Sequence, residues 1–328
     1  MVTRAIVNGT MLAHGTTSSS LPSLSILIVF GEQRPRAERC LRHILAQTVL
    51  DQSEIVILDL SADGVAIKGL DHPAVRWFHR PELPSFGEAR AECIRRSRGA
   101  IVAFIEDHCY ADSRWAEEVL RAFEKPVDIV TYAMTNANPE RLFCRTFLMV
   151  EYGRWLDPAI SGYIPISACN NVAYRRSALQ PYWSRLNQLC EAEYVLHREM
   201  QAAGSRIWLA AEAKLGHENW TRLGEGLQAN GDMKRLLAAR RASELGWDIP
   251  TRVAWAAAMV LTPPLHVARL ARSLLRRPSL WALFWASVPL MLLVYTRGAW
   301  AEAMGYLFGD GNCSERFRDL EISIARED

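Results

Sequence analysis

Between residues 24 and 131, short apolar runs alternate with amphipathic segments, and no other feature constrains the fold of this chain as much. Leu24 to Phe30 (Leu-Ser-Ile-Leu-Ile-Val-Phe) and Glu54 to Leu60 (Glu-Ile-Val-Ile-Leu-Asp-Leu) are too short for helices and rich in branched residues, which predicts two buried strands. Between them, Cys40, Leu41, Ile44 and Leu45 recur at helical spacing within 37–47. Strand, helix, strand in that order predicts a parallel βαβ unit. The pattern continues with strands at 75–79, 100–105 and 127–131 and helices at 87–98 and 113–123. Repeated alternation of this kind predicts an α/β fold with a doubly wound sheet, whose ligands sit at the carboxyl edge of the strands.

The rest of the chain changes character twice. Residues 133–185 are rich in Asn, Pro, Gly and aromatics and are predicted as substrate-facing loops, followed by a helix at 188–203, a strand at 206–210 and a helical linker near 222–246. Then Val253 to Leu265 carries no charge, and Pro278 to Thr296 is nineteen consecutive uncharged residues. About twenty apolar residues cross a bilayer core, so the second stretch is just long enough and the first too short. Arg269, Arg272, Arg276 and Arg277 lie between them, where a two-pass hairpin would put them outside, against the positive-inside tendency. The first stretch is therefore expected to lie in the interface, bent by Pro263 and Pro264, with the second inserted or lying beside it. Buried helices of a soluble tail are the alternative, and Trp255, Trp281, Trp285, Tyr295 and Trp300 near the apolar ends favour the interface.

These shifts divide the chain into an arm at 1–22, an α/β domain at 23–221, a helical linker at 222–251, membrane-associated helices at 252–309 and a polar tail at 310–328. With 38 Lys plus Arg against 36 Asp plus Glu, the net charge of +2 excludes a dedicated nucleic-acid binder. Seven cysteines without repeated spacing, and no apolar leader in the first twenty residues, are expected of a chain in a reducing compartment. The expected location is the cytoplasmic face of the inner membrane.

Phe104-Ile105-Glu106-Asp107-His108 is the strongest local feature, at the carboxyl end of a predicted buried strand. Three polar groups in succession there are either a solvated turn or a cation site, because each buried unpaired charge costs several kcal/mol. Carboxylates with an imidazole suit a manganese-like ion. Asp59, ending another strand, is placed to receive ribose hydroxyls or a base N–H, and Arg90 sets a guanidinium beside the same edge.

Taken in order, these pieces resemble family 2 glycosyltransferases, inverting nucleotide-sugar enzymes with the GT-A fold, over about residues 23 to 220. Leu24 to Leu41 resembles the opening strand and helix, with Glu32 in the segment that contacts the base. Asp59, Ser61 and Asp63 resemble the uridine-contacting Asp and its turn, and Ala89-Arg90 resembles the Ala-Arg-Asn helix with Ala91 replacing Asn. Glu106-Asp107-His108 stands at the Asp-x-Asp metal motif. By this resemblance Glu106 meets the nucleoside side and binds metal, Asp107 assists, and His108 is the direct ligand. Asn171, in Asn170-Asn171-Val172-Ala173-Tyr174-Arg175-Arg176, corresponds to the donor-sugar segment. Counting back from Gly204, Glu193 corresponds to the catalytic base with Glu191 as the fallback. Counting forward, His217 corresponds to the His that reaches metal or diphosphate.

The resemblance implies an inverting, metal-assisted transfer (Mn²⁺ or Mg²⁺) from a nucleotide-sugar, a UDP-sugar by expectation, to a hydroxyl of a glycan or lipid-linked acceptor in polysaccharide or envelope synthesis. A polyprenyl phosphate acceptor, for which a base is dispensable, and a catalytically silent scaffold are the alternatives. A nucleotidyltransferase would need a Gly-rich basic loop, which 24–32 lacks.

Overall fold

Every residue of Ser53 to Asp59, and all but one of Leu24 to Phe30, is buried, as continuous apolar runs covered by helices on both faces must be. The computed structural model describes residues 21–323; the predicted arm, apart from Leu21 and Pro22, and the last five residues of the predicted tail lie outside them. In chain order β1 (Leu24–Phe30), α1 (Arg34–Leu45), β2 (Ser53–Asp59), β3 (Val75–His79), α2 (Phe86–Arg96) and β4 (Ile101–Phe104) build the first half. Here β3, β2, β1 and β4 are all parallel, in that spatial order. The chain reverses its direction of winding at β1 and β4, so the loops after these two strands flank a crevice at the carboxyl edge.

The second half mixes directions. It holds β5 (Cys109–Ala111), α3 (Trp115–Ala122), β6 (Ile129–Asn136), α4 (Leu142–Tyr152), β7 (Gly162–Tyr163) and β8 (Val172–Arg175), then α5 (Leu186–Glu191), α6 (Glu193–Ala202) and β9 (Ile207–His217). β8 inserts antiparallel between β4 and β6, β9 runs parallel to β6, and β5 pairs antiparallel with the end of β9.

Three expectations are corrected. The region read as loops contains α4, an eleven-residue helix whose Cys144, Phe147, Leu148 and Tyr152 face the core. The helix expected at 188–203 is two helices, broken at Ala192 (φ −133°, ψ 62°), which separates Glu191 from Glu193. The strand expected to end at Ala210 runs on to His217, with exposed Glu212 as one outward position of a pleated edge, and it delivers His217 to the crevice.

The apolar C-terminal third is α7 (Leu223–Glu244), α8 (Ile249–Ala258), α9 (Thr262–Ser273), α10 (Trp281–Phe308) and α11 (Cys313–Ser323). At about 1.5 Å per residue, α10 is about 42 Å long, enough to cross a bilayer. Its buried Phe284, Ser287, Met291, Val294, Gly298, Ala301 and Gly305 recur at alternating steps of three and four, one continuous stripe along its length. That stripe packs on α4 and α7. Ser287 pairs with Thr146 of α4 at 2.9 Å, and Glu302 faces Lys234 and Arg241 of α7 at 3.5 and 3.9 Å. The opposite stripe is exposed, with Trp285 65% and Trp300 62% accessible. Arg277, counted in the inter-segment charge cluster, is buried and donates to the carbonyls of Gly153, Leu156 and Ser273.

Candidate active site

The loop after β4 carries Glu106, Asp107 and His108 into the crevice, and the end of β9 brings His217 beside them. His108 Nε2 and His217 Nε2 lie 3.2 Å apart, with Glu106 Oε2 at 3.8 and 3.6 Å from them. Cys109, the first residue of β5, completes a group of four ligand atoms within 4.8 Å of one another.

The partners of the two rings fix their protons. Asp107 Oδ1 accepts from His108 Nδ1 at 3.2 Å, and Asn219 Oδ1 accepts from His217 Nδ1 at 3.0 Å. Asn219 is oriented unambiguously because its Nδ2 donates to Asn136 Oδ1 and to the His217 carbonyl. With both Nδ1 atoms facing outer acceptors, the two Nε2 atoms face each other across 3.2 Å beside Glu106, where a cation between them would be held by both rings. A carboxylate, two imidazoles and a thiol, with each ring anchored by an outer hydrogen bond, is a donor set that fits a divalent transition ion.

Outer residues hold this cluster. Asp107 forms a buried ion pair with Arg36 of α1 at 3.0 Å, so its role is to orient His108. Asn171 is fully buried: its Oδ1 accepts from the Glu106 amide at 3.1 Å, and its Nδ2 donates to Glu106 Oε2 at 2.5 Å and to Tyr152 Oη at 2.9 Å. The Asn171 amide is thereby committed to Glu106, and its neighbour Asn170 is the one that lines the crevice. Tyr152 donates to Glu106 Oε2 at 3.1 Å. Sequence reasoning missed Tyr152 because α4 was read as loop, although 142–152 runs eleven residues without Gly or Pro. It also missed Cys109, Asn170, Asn219 and Arg36.

Glu193 and Arg90 form a second centre. Arg90 grips both oxygens of Glu193 at 2.9 Å, and Glu193 also accepts from the Asn170 amide at 2.5 Å and from Tyr174 Oη at 3.0 Å. Only 3% of Glu193 is exposed. Burial is the largest influence and opposes the Arg90 charge, but Glu193 together with Cys190, Tyr174 and Glu106 outweighs it and holds the guanidinium above its ordinary range. Asn170 takes a left-handed backbone (φ 66°) and offers Arg90 its side-chain and backbone oxygens at 2.8 and 3.1 Å. Glu191 instead receives the Gly87 amide at 2.9 Å and the Ser314 hydroxyl at 3.2 Å. A Cβ at Gly87 would collide with the Glu191 backbone, so only glycine permits this approach.

The nucleoside side is closed by the chain itself. Asp59 is fully buried and accepts from Arg34 at 2.7 Å, Trp77 Nε1 at 3.1 Å and the Ser61 amide at 3.0 Å. Glu32 accepts from the Ala62 amide at 2.7 Å. Helix α11 lies over the end of β1: the Ile322 carbonyl accepts from the Glu32 amide at 2.9 Å, and the Glu321 carbonyl from Arg36 at 2.9 Å. The cleft between α11, Phe86, Gly87 and Glu106 encloses about 90 Å³. On the other side of the cluster a cavity of about 460 Å³ runs from Glu106, His108 and His217 to α7, α9 and α10.

Comparison with known proteins bears on the family and the fold. A family model described as "Glycosyl transferase family 2" matches residues 25–183. The mannosyltransferase PcManGT from Pyrobaculum calidifontis, solved in complex with GDP-Man and Mn²⁺, is similar in fold, with a TM-score of 0.50 at 15% identity over 85% of this chain and 87% of that one. No curated protein matches the chain.

Proposed function

This chain is a glycosyltransferase with a family 2 catalytic domain of GT-A fold, and from that premise we propose that it moves a sugar from a nucleotide-sugar to an acceptor held at a membrane surface. The observation that carries this reading is the convergence of His108 Nε2, His217 Nε2 and the Glu106 carboxylate within 3.8 Å of one another, at the carboxyl edge where the donor diphosphate would lie. Glu106, His108 and His217, with Cys109 adjacent, would hold a divalent ion, and the chemistry supplied there is neutralisation of the charge that develops on the leaving diphosphate. Asp107 and Asn219 fix the rings, while Asn171 and Tyr152 fix the carboxylate, so the donor atoms are set before substrate arrives. Transfer by one displacement inverts the anomeric carbon.

UDP is the proposed donor nucleotide, on the resemblance of Asp59 to a uridine-contacting position. Recognition of uracil there requires Arg34 to release Asp59.

The acceptor follows from Glu193. A carboxylate with four hydrogen bonds, two of them from a guanidinium, is a poor proton acceptor until Arg90 lets go. This favours the second of the two acceptor classes: an oxygen already anionic, as in a phosphate, attacks without a base. A hydroxyl acceptor would need Glu193 freed.

Turnover of UDP- and GDP-sugars with Mn²⁺, Mg²⁺ or chelator tests both points. His108→Ala is expected to abolish metal-dependent turnover, about a hundredfold or more. Glu193→Gln is expected to keep activity on a lipid-phosphate acceptor within about tenfold. Turnover indifferent to chelator and to His108→Ala would overturn the metal site, and loss of more than about a hundredfold in Glu193→Gln, with the fold intact by circular dichroism, would restore Glu193 as the base.

A further inference from the structure

The larger cavity has a cationic wall that the donor chemistry leaves unused. Arg154 follows α4, Lys234 stands on α7, and His266 and Arg269 stand on successive turns of α9; all four line the same cavity as Glu106, His108 and His217. Among the described residues neither Arg154 nor Arg269 has a carboxylate partner, and Lys234 shares Glu302 with Arg241 at 3.5 and 3.9 Å. His266 stacks on Tyr295 of α10, with ring centroids 5.1 Å apart. Burial, then the positive field of Lys234, and those of Arg269 and Arg154 against the opposing Glu302, push His266 down to about 4. Arg154, Lys234 and Arg269 thus line one cavity, with the His266 imidazole among them.

Glu302 offsets part of this charge at Lys234, but Arg154 and Arg269 keep theirs, and like charges left in excess destabilise a fold, so such a wall is explained when an anion completes it. Two guanidiniums and an ammonium suit phosphate oxygens, the guanidiniums by paired N–H donors. The same wall belongs to α9, and the outward faces of α8 to α10 expose Trp255, Val260, Leu261, Leu265 and Trp285. An anion that also brings an apolar chain fits both surfaces at once. A free sugar phosphate would use only the first.

We propose that Arg154, Lys234 and Arg269 form an anion subsite that receives the phosphate of a lipid-phosphate acceptor, with the lipid chain leaving across the exposed apolar faces of α8, α9 and α10. The subsite rests on the transferase reading only for its purpose, since the phosphate would enter the cavity that opens on Glu106, His108 and His217. Binding of the lipid phosphate stands apart from it.

The test is co-sedimentation of the full chain with phosphatidylcholine vesicles holding a few mole per cent of a long-chain prenyl phosphate, of the matching uncharged prenol, or of phosphatidylglycerol at equal charge. Nucleotide binding with Mn²⁺ is measured separately by calorimetry. The expected result is binding to the prenyl-phosphate vesicles about tenfold or more tighter than to the prenol or phosphatidylglycerol vesicles, with that gain lost in Arg154→Gln/Arg269→Gln. Equal binding to prenol or phosphatidylglycerol vesicles, or binding untouched by the double variant, would overturn the proposal. Competition by inorganic phosphate with no gain from the prenyl chain would also overturn it in favour of a soluble anion. Failure of nucleotide binding with prenyl-phosphate binding intact would instead strike at the transferase reading and leave the subsite standing.

Discussion

His197 shows how far a single side chain here departs from its behaviour in water. It is buried on α6 and meets Tyr174 Oη at 2.7 Å, and burial, with Glu193 opposing and Arg90 adding, pushes its pKa from 6.5 down to about 4. A histidine kept neutral by the fold contributes its full stability above about pH 6.5 and loses it as pH falls toward 4, because the unfolded chain takes up the proton first. The loss approaches about 3 kcal/mol for a shift of this size. Urea unfolding at pH 7.5 and 4.5 is expected to show a marked drop, and His197→Gln to flatten that difference; an equal drop in both proteins would place the acid sensitivity elsewhere. At this scale Glu106, His108 and His217 could be named from strand ends and the family resemblance, and the structure brings the three side chains together. The commitments of Asn171, Glu193 and Asp59 were not legible. A sequence shows which groups can bond, whereas Arg90 meets Glu193 across 103 positions and Arg34 meets Asp59 across 25.

Among the elements, α11 differs most from its expectation as a polar tail. Its Phe317 packs edge-on against Phe86 at 6.4 Å, its Ser314 reaches Glu191, and its last turn occupies the backbone groups at the end of β1. A Cβ on Gly31 would come within 2.8 Å of the Ile322 backbone, so this contact depends on glycine. Deleting residues 312–328 uncovers the Glu32 amide and is expected to raise nucleotide affinity about tenfold, read by calorimetry with UDP and Mn²⁺. Lower affinity after deletion would make α11 a wall of the donor pocket rather than a cover. Nothing in the sequence marks this docking, because its partners, Phe86, Glu191 and Asp232 for the side chains and Glu32 for the Ile322 carbonyl, lie far away in the chain. α10 was legible as a long apolar helix, but its role was not: alternating steps of three and four mark a helix with a partner along one side.

For the whole molecule, one consequence is that α7, read as a linker, joins α10 to the catalytic domain and lines the larger cavity. With one stripe of α10 packed against α4 and α7, the proposed docking on a bilayer uses the opposite, exposed stripe. Trp285→Ser with Trp300→Ser is expected to reduce co-sedimentation with neutral phosphatidylcholine vesicles roughly tenfold while leaving the unfolding midpoint in place. Unchanged vesicle binding would remove the membrane from the account. Burial also reassigns charges that sequence reading counted as topological, Arg277 as a clamp on three carbonyls and Arg235 as a donor to the Gly309 carbonyl at 2.9 Å. The sequence alone determined the alternating strands and helices, the carboxyl-edge site and the apolar tail, because each rests on periodicity within a few neighbouring residues. The tertiary structure alone decided which carboxylates are free, which cations face a cavity and which side of α10 meets solvent, because those depend on groups distant in the chain brought within about 3 Å, where desolvation and pairing outweigh intrinsic preference.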